Sequence, residues 1–122
     1  METFNIIIAG TREFDDYDFL RQEMNKIKKI LNTRIKVISG GCRGPDLLGE
    51  KWAKEDAYVP IQRFDADWLK YGKKAGPIRN QEMADNADMC IVFVRQIKDK
   101  NVTNLIDISL ESQILVKQIM VE

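Results

Sequence analysis

The sequence predicts an α/β fold, a mostly parallel five-stranded sheet with helices on both faces, and three observations carry that expectation. Short runs such as Phe4 to Ala9, Ile35 to Ile38 and Met89 to Val94 are dense in apolar residues rather than cleanly alternating, as strands covered on both sides are. Between them lie stretches whose apolar residues recur at helical spacing. Strand and helix patterns alternate five times along 122 residues, and that alternation implies parallel strands joined by crossover helices.

Each element has its own signal. Phe4 to Ala9 is a β-branched run closed by Gly10, and Gly10-Thr11-Arg12 forms the turn after it. Asp15 or Asp16 is placed to cap a helix whose apolar positions Tyr17, Leu20, Met24, Ile27 and Leu31 step by three and four. Lys26, Lys28 and Lys29 fall in its last turns, where cations favour the helix dipole. Ile35 to Ile38 is the second strand, followed by the turn Ser39 to Asp46 and a helix from about Pro45 to Ala57. Proline suits the first helical position because its missing N–H would have had no partner there. Ile61 to Phe64 reads as a third strand, and Asp65 to Pro77 as a long polar connection bearing Trp68 and Tyr71. Pro77 looks like the start of a helix that Ala87 or Asp88 ends, ahead of the fourth strand, Met89 to Val94. Val102, Leu105, Ile106, Ser109 and Leu110 suggest a last helix, and Ile114 to Val121 a last strand. With no repeat, linker or low-complexity segment, residues 1–122 are expected to form one domain.

Composition excludes several kinds of chemistry. Lysine plus arginine and aspartate plus glutamate both number 19, so no global field draws the chain to nucleic acid or to an anionic membrane. The longest apolar run, Met89 to Val94, is too short to span a bilayer. The first residues lack a basic start and a long apolar stretch, and the two cysteines make no disulfide framework, so a cytoplasmic setting is expected. The absence of histidine removes Ser-His-Asp, Cys-His and His-ligated metal chemistry, and no metal site is expected. Catalysis, if any, rests on carboxylates, arginine, lysine, tyrosine or backbone donors.

The site follows from the topology. Open parallel sheets bind ligands beyond the carboxyl ends of their strands, where strand order reverses. Gly10-Thr11-Arg12, Ser39 to Asp46, Asp65 to Asn80 and the stretch after Val94 should share that edge. The second of these is the most suggestive: Gly40, Gly41 and Gly44 leave room for a close approach, a helix N-terminus follows, and Arg43 adds a fork of donors. The arrangement suits phosphate or another anion, and it equally suits a tight connection. It is neither a P-loop nor the G-x-G-x-x-G dinucleotide fingerprint. Arg12, Arg43 and Arg79 are expected on one rim.

Four motifs together resemble a known family. They are Gly10-Thr11-Arg12-Glu13-Phe14, Ser39-Gly40-Gly41-Cys42-Arg43-Gly44-Pro45-Asp46, Asp67-Trp68 with Tyr71-Gly72, and Ala75-Gly76-Pro77-Ile78-Arg79-Asn80-Gln81-Glu82-Met83. In order and spacing they resemble the YspA-type family of the SLOG superfamily. The resemblance implies a Rossmann-like three-layer sandwich that binds nucleotides or nucleotide derivatives, with no cofactor, and it implies a homo-oligomer. Some relatives are cytokinin-activating phosphoribohydrolases; others, such as the DNA-processing protein DprA, bind single-stranded DNA. One departure stands out. The family's second glycine-rich turn, S-x-G-T, corresponds here to Lys100-Asn101-Val102-Thr103, which keeps only Thr103. Where the glycosidase relatives carry their catalytic glutamate this chain has Ile106, and Asp107 is turned about 100° aside on a helix.

The candidate ligand-binding residues are therefore Gly10, Thr11, Arg12, Ser39, Gly40, Gly41, Arg43, Gly44, Asp46, Trp68, Arg79, Asn80 and Thr103. Several have structural alternatives: Ser39, Thr11 and Asp46 as caps, Trp68 and Tyr71 as buried anchors, and Arg79 as the partner of Asp46 or Glu82. Glu82 is the carboxylate placed to act as a general base, or it simply faces solvent. Two functional classes follow. One is a nucleotide-ligand sensor or sequestering module without turnover; the other is a nucleotide-processing hydrolase. A DNA-binding role would need a basic stripe, which the balanced charge does not supply.

Overall fold

The structure, a computed structural model, describes residues 2–95 and 99–121. Five strands, β1 (Thr3–Gly10), β2 (Arg34–Ser39), β3 (Ile61–Arg63), β4 (Met89–Val94) and β5 (Leu115–Met120), form one sheet in the order β3-β2-β1-β4-β5. All four pairings are parallel, with β1 central, so the expected mostly parallel sheet is parallel throughout. Five α-helices connect or follow the strands: α1 (Tyr17–Leu31), α2 (Pro45–Trp52), the single-turn α3 (Trp68–Tyr71), α4 (Ala75–Asp85) and α5 (Lys100–Glu111).

The layers follow from the pleat, because successive side chains of a strand point to opposite faces. Ile6 and Ile8 of β1, Val37 of β2 and Ile91 and Phe93 of β4 pack with Leu20, Met24 and Trp52 of α1 and α2. Ile7, Ala9, Ile38, Cys90 and Val92 point the other way and pack with Met83, Val102 and Leu105 of α4 and α5. Two cores thus lie on opposite sides of one sheet. That double burial is the physical source of the unbroken apolar runs in the sequence. It also pushes the Cys90 thiol up to about 12.

Several boundaries differ from the sequence expectation. Asp16 is the residue that caps α1, accepting from Phe19 N–H at 3.1 Å. The second helix is α-helical only to Trp52; Ala53–Ala57 is a wider π turn, closed by Tyr58 in the left-handed region (φ 53). The Asp65 to Pro77 stretch is no irregular loop. Asp67 caps α3, accepting from Lys70 N–H at 3.1 Å, a 3-10 turn spans Gly72–Lys74, and α4 begins at Ala75 rather than Pro77. Pro77 is the third residue of α4, still inside the first turn, where N–H groups have no partner within the helix and a missing one costs nothing. Among the described residues no helix is long and apolar enough to cross a membrane.

Candidate functional site

Strand order reverses at β1, whose neighbours are β2 on one side and β4 on the other. The carboxyl ends of these strands form the crevice that such sheets use for ligands. At the end of β1, Gly10 is paired with Phe93, and a Cβ at this position would overlap the Phe93 carbonyl. Thr11 N–H donates to Phe93 O at 2.9 Å, and Arg95 N–H donates to Thr11 Oγ1 at 3.1 Å. Thr11 is therefore a buried strut that ties the β1 turn to β4.

The β2 turn comes against the β1 turn. Gly44 has φ +95, and a Cβ there would lie 2.8 Å from Thr11 O and 3.0 Å from the Arg12 Cα, so only glycine permits the approach. This contact brings Arg12 and Arg43, both exposed, to one cleft of about 500 Å3. Phe14, Leu47 and Leu48 supply its apolar wall, and Glu13 and Asp15 bring opposite charge to its edge.

Inside the turn the chain's own oxygens are the acceptors. Gly41 N–H donates to Ser39 Oγ at 3.0 Å, and Ser39 Oγ donates to Glu50 Oε2 at 2.6 Å. Arg63 Nε holds the same Glu50 oxygen at 2.9 Å. Cys42 N–H faces Asp46 Oδ2 at 3.4 Å. Asp46 is the second residue of α2 and only 4 % exposed; its carboxylate turns back into the turn instead of capping the helix. Burial raises its carboxyl to about 7, against the opposing pull of the Cys42 N–H and of Arg79.

Arg79 differs from the sequence picture of three arginines on a rim. It is 3 % exposed and lies beneath the β2 turn. Its Nη1 donates to Gly40 O at 2.8 Å, its Nε to Asn80 Oδ1 at 3.0 Å and its Nη2 to Asn101 Oδ1 at 3.4 Å. Gly40 is pressed between opposite charges: a Cβ there would sit 2.9 Å from Asp46 Oδ2 and 3.0 Å from Arg79 Nη1. The fully buried Asn80 donates onward to Asn104 Oδ1 at 2.9 Å. A guanidinium sequestered in this way sets the shape and charge of the floor and is not a surface clamp for phosphate.

The remaining candidates spread around this centre. Trp68, exposed on α3, brings its ring edge to within 3.4 Å of where a Cβ of Gly76 would lie. Thr103 is exposed on α5, whose N-cap Asp99 accepts from Asn101 N–H at 2.8 Å and Val102 N–H at 3.2 Å. Glu82 is exposed on the flank of α4 next to the buried Arg79, Asn80 and Met83. Glu50, Arg63, Asn101 and Asn104 escaped the sequence reading. Glu50 had a usable signal, since it follows Asp46 by one helical turn and so shares its face. Among the described residues no group of cysteines and carboxylates could hold a metal ion.

Comparison with known proteins fits this geometry. The model of the YspA, cpYpsA-related SLOG family matches residues 4–71, more than half of the chain. The chain belongs to the YspA, cpYpsA-related SLOG family. The SLOG match takes in both glycine turns, Arg12, Arg43, Asp46 and Trp68, and stops before the Arg79-Asn80-Asn101 network. The chain is also similar to the Gene 61 protein of Mycobacterium phage D29, with 35% identity over 97 residues, covering 72% of this chain and 74% of that protein. No solved structure matches. As a SLOG member the chain carries a module suited to a nucleotide-related ligand.

Proposed function

We propose that this chain binds a nucleotide or nucleotide-derived ligand bearing phosphate at the carboxyl edge of the sheet, as a sensor or sequestering module without turnover. The observation that carries the reading is the cleft shared by Arg12 and Arg43 at the mouth of α2, where two exposed guanidinium groups and a helix N-terminus converge. Phosphate sits on these arginines, and the rest of the ligand extends over the β2 turn toward Arg79, Asn80 and Trp68. Two observations support binding without chemistry: Glu50 is engaged by Ser39 and Arg63, and Ile106 stands at the glutamate position of the glycosidase relatives.

A second reading, hydrolysis, is favoured by one observation. The Asp46 carboxyl, raised to about 7 beside a buried arginine, has the proton affinity of a general acid–base group at neutral pH. A nucleotide panel separates the two, with thermal shift and released product measured on the same samples. Stabilisation without product supports binding; free base or orthophosphate supports hydrolysis; no shift with any nucleotide refutes both. Arg43→Ala abolishes the shift, whereas Lys28→Ala, in the distant last turn of α1, leaves it intact.

A further inference from the structure

Arg79 carries its charge in the interior without a carboxylate partner. A guanidinium so deeply buried is ordinarily held by an anion. Here the three oxygens that accept from it, Gly40 O, Asn80 Oδ1 and Asn101 Oδ1, are all neutral. Among the described residues the ion pairs are those of Arg21, Lys26 and Arg63, and none includes Arg79. The anion that its field does reach is Asp46. Carboxylate and guanidinium flank one point, 2.9 and 3.0 Å from where a Cβ of Gly40 would stand.

The floor of the turn therefore has two charge states. With Asp46 ionised, its charge offsets that of Arg79, and its Oδ2 faces the Cys42 N–H at 3.4 Å. With Asp46 protonated, the charge of Arg79 stands uncompensated beneath the β2 turn. An anion in the Arg12–Arg43 cleft senses the difference. Gly44, which lines that cleft, is only two residues before Asp46, and both lie at the N-terminus of α2. Burial raises the Asp46 carboxyl to about 7, so the two states exchange in the neutral range.

Other ionisable groups surround this carboxyl. Arg63 of β3 is pushed above its ordinary value, mainly by Glu50, and burial pushes the Cys90 thiol of β4 up to about 12, so both keep one charge state across that range. Cys42 shares the turn, with its Sγ 3.7 Å from Arg79 Nη1. Glu50 lies one helical turn further along α2, held by Ser39 and Arg63.

Resting on the nucleotide reading above, we infer that the Asp46 carboxylate and the ligand phosphate compete for the charge of Arg79, so that the ligand binds together with one proton. The proton comes from solvent and goes to an Asp46 carboxylate oxygen. Ionised Asp46 is then a built-in anion that opposes phosphate, and acidification removes the opposition.

Calorimetric titration of the full chain with the 5′-monophosphates of adenosine, guanosine, cytidine and uridine, in wild type and Asp46→Asn, tests this. The second ionisation of the phosphate, near about pH 6, affects both proteins alike and cancels in the ratio of their affinities. That ratio should stay near one at about pH 5.5, and the wild type should weaken at least about tenfold relative to the variant by about pH 8.5. At about pH 8, heats measured in two buffers of different ionisation enthalpy, neither of them phosphate, should show uptake of about one proton per ligand by the wild type and none by Asp46→Asn. Cys42→Ser, which removes the thiol from the turn, should keep the wild-type profile. Parallel profiles in wild type and Asp46→Asn, or no proton uptake by the wild type, overturn the coupling and leave the nucleotide reading standing. Loss of the pH dependence in Cys42→Ser overturns its assignment to Asp46. No binding by any of the four at any pH overturns both readings.

Discussion

Asp46 offers a pH experiment whose sign and size follow from its position. Its carboxyl is raised from 3.8 to about 7, because only 4 % of the residue is exposed and ionisation must occur out of water. Between those two values the folded chain keeps a proton that the unfolded chain has released. The unfolded state therefore binds fewer protons, and stability falls as pH rises through this window, levelling off above about pH 8. A difference of about three units corresponds to about 4 kcal/mol, an upper bound because the turn can admit water once the group is charged. Asp46→Asn mimics the neutral acid in shape. It should match the wild type near pH 4, gain over it progressively between about pH 5 and 7, and hold a constant advantage of about 2–4 kcal/mol above pH 8. Urea unfolding of both proteins from pH 4 to 9 measures the difference directly. An advantage independent of pH, or a wild type that gains relative to the variant on going alkaline, would refute the assignment of a proton to Asp46.

Other outcomes are expected from the same structure. Gly44→Ala should lose about 2–3 kcal/mol in chemical denaturation, since its φ of +95 and the Thr11 carbonyl 2.8 Å from a new Cβ both oppose a side chain. Arg12→Ala should weaken nucleotide binding about tenfold and Arg43→Ala should remove it from the measurable range, each while leaving the melting temperature of the free protein nearly unchanged. Wild-type affinity should itself drop as salt rises from about 0.05 M to about 0.5 M, because both arginines are exposed and screened; calorimetry reads both effects. A thiol reagent should label Cys42, half-buried in the turn, in the native protein, and reach Cys90 only after unfolding. Equal rates at the two cysteines would contradict the burial of β4.

The strands were the most readable part of the sequence, for a reason specific to this sheet. Ile6, Ile7 and Ile8 are all fully buried because successive residues of β1 feed two different cores, and such a run has no competing reading at that length. Local rules also placed the helix starts, at Asp15 or Asp16, of which Asp16 is the cap, and at about Pro45. They failed for Asp65 to Pro77, where polar composition suggested a loop but the Asp67 cap and the Gly72–Lys74 turn carry the chain into α4 early. Within the site, the sequence supplied residue types and the edge they share, because topology alone determines that. It could not supply partners. Arg79 is sequestered by Gly40, Asn80 and Asn101, which come from the β2 turn, α4 and α5, and no spacing rule links those elements. Asn101 had only a weak signal, as part of the divergent Lys100–Thr103 stretch, and Asn104, one turn further along α5, had none of its own.

The placement of α1 and α2 on one face and α4 and α5 on the other has a mechanical consequence at the crevice. Arg12 and Arg43 belong to turns feeding the first layer, whereas Asn101 and Asn104 project from the second. A molecule reaching from the arginines to the amides would fasten the two layers together over the top of β1, like a clasp across the spine of a book. Amide hydrogen exchange would then slow in α2 and α5 together on occupancy, although no residue of one helix need touch the other.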